Sequence, residues 1–71
     1  MKVIFDPETD TLSIILRDEN ISESNEIIEG VIIDYSNIGE IVSIGIMDAS
    51  EQVMDPRSIF YGVSTKQGDF T

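Results

Sequence analysis

The residues with the greatest capacity for chemistry lie in Asp6-Pro7-Glu8-Thr9-Asp10, where three carboxylates stand at alternate positions. A calcium loop opens this way, with ligands at its first, third and fifth positions. That loop also needs a glycine at its sixth position and a bidentate glutamate at its twelfth. Thr11 and Arg17 hold those places, so the segment reads as a turn stabilised by aspartate side chains. Paired carboxylates can act as general acid and base, and fourteen Asp and Glu will form pairs by chance. A catalytic pair needs a cleft that raises one pKa, and a small sheet has little room for one. The serines have no histidine to serve as base, because the chain contains none, and no nucleophile-elbow pattern surrounds them. Without His or Cys, a zinc, copper or iron site would have to use carboxylates alone. No enzymatic activity, metal or cofactor is expected.

The elements that would position any site are mostly strands. Lys2 to Phe5 is a short strand, and Asp6 to Asp10 is its turn, with Pro7 pre-setting φ and Asp6 able to bond the backbone ahead. Thr11 to Leu16 then alternates until Ile15, placing Leu12, Ile14 and Leu16 on one face. Arg17 to Asn20 reads as a loop. Ile21 to Ile28 alternates weakly and suits an edge strand with a solvated face; a short helix from Ser22 or Ser24 is the alternative. Glu29-Gly30 makes a tight connection in which Gly30 can take positive φ. Val31 to Tyr35 and Ile41 to Met47 form the strongest hairpin, around a turn at Ser36 to Glu40 with Gly39 left-handed. Val42, Ile44 and Ile46 share one face. Ser43 and Gly45 lie on the other, which is either solvated or close under another chain.

Asp48-Ala49-Ser50-Glu51 resembles a capping box with Asp48 as N-cap, and Val53 and Met54 would supply the apolar contact of a short helix. Pro56 ends that helix or starts a turn capped by Asp55. Beyond it, Ile59, Phe60, Tyr61 and Val63 suit one more strand or a docked tail, and Lys66 to Thr71 look frayed. The expected fold is mainly β (α+β): one domain over 1–71, with a core at 2–54 and a tail at 55–71. It is a small antiparallel β-meander of four or five strands, with one short helix after the last strong strand and a C-terminal segment packed on the sheet. Leu12, Ile14, Ile33, Val42, Ile44 and Ile46 should be mostly buried.

Size and charge limit the partners. A chain of 71 residues buries only about 60% of the surface its unfolded form exposes. With no Cys for a disulfide, oligomerisation or a protein partner is the remaining way to add to a thin core. The net charge of -10 reads either as a solvated surface that maintains solubility or as a match to a basic protein. Direct nucleic-acid binding needs clustered Lys or Arg, and Lys2, Arg17, Arg57 and Lys66 are far apart in sequence. An anionic membrane is disfavoured for the same reason. The N-terminus lacks the apolar stretch of a signal peptide, so a cytoplasmic location is expected.

One arrangement runs through most of the chain: Asp6-x-x-x-Asp10-x-Leu12-x-Ile14, then Ile27-x-x-Gly30-Val31-Ile32-Ile33-Asp34-Tyr35, then Gly39-x-Ile41-Val42-x-Ile44-x-Ile46-x-Asp48-Ala49-Ser50. It resembles the short prokaryotic proteins grouped as domain of unknown function 2283, over roughly Val3 to Ser50. Two positions depart from the family pattern. Gly45 stands where a glutamate is usual, and Ser13 stands where an aromatic often follows the first leucine strand position. The resemblance implies no catalytic residues. It does imply a role, because some members look like the antitoxin half of a toxin–antitoxin pair, beside a small basic ribonuclease-like protein.

Two places suit protein contact. Tyr35 ends a strong strand beside a turn, where it is either rim packing or an interface anchor. Ile59, Phe60 and Tyr61 are the densest aromatic point and either cover one sheet face or dock on another chain. The functional expectation is a protein-binding module of antitoxin type acting on a basic partner. The alternative is a self-assembling structural domain without catalytic activity, and a homo-oligomer is expected over a monomer.

Overall fold

The structure, a computed structural model, describes residues 1–65. The expectation of a frayed end at 66–71 lies outside the described residues. Five strands, β1 (Lys2–Asp6), β2 (Thr11–Ile15), β3 (Glu23–Ile28), β4 (Val31–Tyr35) and β5 (Ile41–Met47), precede one short helix, α1 (Ala49–Gln52). All pair antiparallel in a single sheet ordered β1-β2-β5-β4-β3. The strands β3, β4 and β5 run as a meander, and the first hairpin is added along the free side of β5. The ambiguous segment before Glu29 is therefore an edge strand, exposed along its whole length.

Each turn forms for a local reason. The Glu8 N–H donates to Asp6 Oδ1 at 3.0 Å, which bends the first connection as an Asx turn does. Gly30 and Gly39 both have φ of 86°, a conformation that side chains with Cβ resist. Ser36 organises the β4–β5 turn: its N–H donates to the Glu40 carbonyl at 2.8 Å and its hydroxyl accepts the Glu40 N–H at 3.2 Å. These two contacts explain how a serine comes to be buried there.

Register assigns the apolar residues to one face. Ile44 of β5 pairs with Ile14 of β2 and Ile33 of β4, while Ile46 pairs with Leu12 and Val31. Val3 and Phe5 of β1 extend the same face beside Ile14 and Leu12. The depth of burial differs from expectation. Val42 is 3% exposed, but Leu12, Ile14, Ile33, Ile44 and Ile46 are only half-buried. Val42 and Ala49 are the buried hydrophobic residues among those described. The cause is architectural: a sheet buries its apolar face against a second layer, and the described residues form one layer.

Part of that face does have a cover. The segment from Val53 to Ile59 lies over Val3, Phe5 and Leu12, and a groove of about 500 Å³ runs between strap and sheet. The Arg57 guanidinium stands 5.5 Å from the Phe5 ring centroid, within cation–π range. Asp55 shapes the strap, accepting the Arg57 N–H through Oδ1 at 3.1 Å and the Ser58 N–H through its carbonyl at 3.1 Å.

The helix start departs from the capping box read in the sequence. Asp48 has φ of 52° and ψ of 47° and makes no side-chain capping bond. The cap comes from Asp10. Its carbonyl accepts the Ala49 N–H at 2.9 Å, its Oδ1 accepts the Ser50 N–H at 3.0 Å, and its Oδ2 accepts the Ser50 hydroxyl at 2.6 Å. A carboxylate that satisfies the first free N–H groups of a helix is the usual capping chemistry; here it arrives from the first hairpin.

Candidate protein-binding surfaces

The side chains with chemical capacity are engaged inside the fold. Asp10 holds Ser50, as described. Asp34, on the face opposite Ile33, accepts the Ser24 hydroxyl at 2.5 Å through Oδ1 and the Ser43 hydroxyl at 2.6 Å through Oδ2. One carboxylate thus ties β3, β4 and β5 together, and buried Ser43 finds its acceptor. Asp34→Ala should lower stability by about 1–3 kcal/mol, because it strands a buried hydroxyl, whereas Asp34→Asn keeps an acceptor and should cost less. Urea denaturation checks this, and a loss below about 0.5 kcal/mol would show that the ladder contributes little. Among the described residues, no three Asp or Glu side chains converge as a metal site would require.

Gly45 lies on this second face. A Cβ built there would come no nearer than 4.0 Å to the Ile32 carbonyl, so no backbone within the described residues presses on it. The remaining surface around it is mixed, with Ile4 at 49% and Met47 at 45% exposure alongside Lys2, Ser13 and Glu26.

Two other surfaces are open in a way that internal bonding does not explain. The first is the β3 edge. β3 ends the sheet, and its outward backbone groups face no strand among the described residues. Glu23, Glu26 and Glu29 line it, Asp18 and Glu19 precede it, and no Lys or Arg occurs between Arg17 and Arg57. Arg17 itself is held by Glu40 at 2.7 Å, with Glu19 at 3.7 Å. Among the described residues no ion pair reaches Glu23, Glu26 or Glu29, although Glu26 does accept the Gly30 N–H at 2.9 Å. A hollow lined by Asp18, Glu19, Asn20 and Ser22 on one side and by Ser36 and Asn37 on the other continues the acidic surface beyond the start of β3.

The second open surface is the apolar face with its strap. Tyr35 belongs to it by strand alternation, opposite Glu23 on β3 and Ile41 on β5, and is half-buried. Ile59, Phe60 and Tyr61 are 69%, 64% and 73% exposed. Ile59 lines the groove at the β1–β2 side, whereas Tyr35 is on β4, next to the β3 edge, so these two candidates do not form a single cluster. Sequence reading passed over the Asp10–Ser50 clasp. The signal for it was present, since Asp10 lies in the first piece of the quoted arrangement and Ser50 ends the last.

Residues 2–50 match the model of the family described as protein of unknown function, DUF2283. The chain belongs to this family. The matched span stops at Ser50, the residue that Asp10 holds. The motif aspartates at 10 and 34 both serve internal hydrogen bonds, so in this member the family pattern describes how the sheet is fastened. No curated protein and no solved structure shows a significant match to the chain. No helix among the described residues is long and apolar enough to cross a membrane.

Proposed function

We propose that this DUF2283 member is a non-catalytic protein-binding module of antitoxin type, and that a basic partner docks on its β3 edge. The observation that supports this is a fully exposed terminal strand carrying only acidic charge. An open edge offers backbone donors and acceptors to an incoming strand. Glutamates along it repel a second copy of the same edge, so the edge favours a strand rich in Lys or Arg. Charge complementarity would speed encounter and make it salt-sensitive. Tyr35, on β4 beside the edge strand, would then supply apolar contact at the border of the docked partner.

The tagged protein, expressed in its native host and recovered at low salt, should bring down one small basic protein in near-equal amount, and high salt should release it. Glu23→Lys with Glu29→Lys should weaken that recovery at least about tenfold, the scale of two reversed charges near an interface. Both positions are exposed, so the fold should be unaffected. Recovery of the chain alone under all conditions would sink the reading. A second reading, a self-assembling structural domain without catalytic activity, rests on the other surface, the half-covered apolar face.

A further inference from the structure

We infer that the apolar face of the sheet is closed by a second copy of this chain, packed face to face about a two-fold axis. The inference rests on the self-assembling reading and is independent of the β3 edge.

Three observations carry it. The first is that the described residues make one layer, whereas an isolated sheet needs another layer against its apolar side. The strap lines a groove with Val3, Phe5 and Leu12 at the β1–β2 side, and Ile33 and Ile44, nearer the middle of the face, are half-buried.

Charge supplies the second. Two chains of net charge -10 repel each other at most orientations. Within the strands, Glu23 is the acid that alternation and register place on the apolar face, and it sits at the border, on the terminal strand. The turns and the opposite face hold the other described acids, apart from Glu51 on α1 and Asp55 on the strap. Face-to-face packing is therefore the arrangement that brings two copies together with the fewest opposed carboxylates.

The third is area. Five strands at about 4.8 Å spacing and five residues at about 3.4 Å make a face of roughly 24 by 17 Å. Two such faces cover on the order of 800 Å², short of the roughly 1,200 Å² at which specific interfaces begin. Ile28, 62% exposed and paired with Val31 on this face, and Ile59, 69% exposed on the strap, would add to that total. With the strap's outer surface standing in for the part of the sheet it covers, the contact approaches the size of a small dimer interface.

Position identifies the contact. β5 is the central strand of the five and Ile44 is its middle residue, so a two-fold axis through the face brings the two Ile44 residues close. Face-packed sheets stand about 10 Å apart. The chain has no cysteine, so single-cysteine variants report cleanly.

The test uses the purified full chain without any partner. Sedimentation equilibrium should give twice the 7.9 kDa chain mass, and added salt should strengthen the dimer by screening, whereas it weakens docking of a basic partner. Ile44→Cys should cross-link to its copy with a bis-maleimide of about 10 Å span, while Ile32→Cys, on the opposite face, should not. Ile28→Glu, at an exposed position, should shift the mass toward the monomer at unchanged circular dichroism. A monomer mass at millimolar concentration overturns the inference and leaves the β3-edge proposal standing. A dimer that cross-links through Ile32 and not Ile44 overturns it as well, while keeping self-assembly.

Discussion

Asp10→Ala is expected to destabilise the protein by about 2–3 kcal/mol, from two hydrogen bonds to a charged acceptor at about 1–1.5 kcal/mol each in an exposed setting. The substitution removes both contacts to Ser50 and places alanine at φ of 55°, where aspartate is tolerated better. A domain of this size has a total stability of roughly 4–10 kcal/mol, so the loss is a large share of it. Thermal melting should show a fall of roughly 10–20 °C. Asp10→Gly separates the two causes. It removes the same hydrogen bonds but relieves the backbone, and it should melt above the alanine variant. Asp10→Asn retains an acceptor for the Ser50 N–H and should lose least. Equal melting of wild type and Asp10→Ala would show that the clasp is incidental to stability.

Gly30→Ala is the second large effect, at about 2 kcal/mol. A left-handed alanine costs about 1–2 kcal/mol by itself. At Gly30 a Cβ would also collide with the Gln52 side-chain amide, which donates to the Met47 carbonyl at 3.3 Å. The collision must displace Gln52 and so break a contact between α1 and β5. Gly39 is the internal control, because it shares the φ of 86° and its Cβ would meet nothing within 4 Å. The difference between Gly30→Ala and Gly39→Ala in urea denaturation therefore measures the Gln52 contribution alone. Gln52→Ala alone should cost that same difference, and adding it to Gly30→Ala should cost no more. If the two glycine variants lose the same stability, the crowding at Gly30 has no energetic consequence.

Much of the fold could be read from local pattern. Alternation at Leu12, Ile14, Ile44 and Ile46 put these residues on one face because side-chain period in a strand is two, whatever the strand's neighbours are. Gly30 and Gly39 could be read because each sits between strand-forming runs where only positive φ closes the turn. The pairing of β2 with β5 was not legible. It joins Thr11 to Met47, and no short-range signal encodes a partner so distant. The helix cap failed for the same reason: Asp48 and Glu51 resembled a sufficient local cap, while the acceptor came from residue 10. Burial was overestimated because alternation names the face a side chain points to, not what stands opposite it. Tyr35 and the 59–61 segment could be located as contact candidates, but only the fold shows that Tyr35 and Ile59 do not meet.

The seam between β2 and β5 also bears on how the chain reaches its fold. The β1–β2, β3–β4 and β4–β5 pairings each close a short loop. Joining β2 to β5 closes a much longer one, and the entropic cost of closure rises with loop length. Non-local pairings form slowly, so the seam is expected to be the slow step of assembly. Asp10 and Ser50 lie just beyond its Thr11–Met47 end and work as a latch on it. When the latch releases, the edges of β2 and β5 are bared together, and each is complementary to the matching edge of another opened molecule. Hairpin exchange between copies starts from that geometry, so the fortieth-neighbour contact that fastens the sheet also guards the chain against swapping its first hairpin.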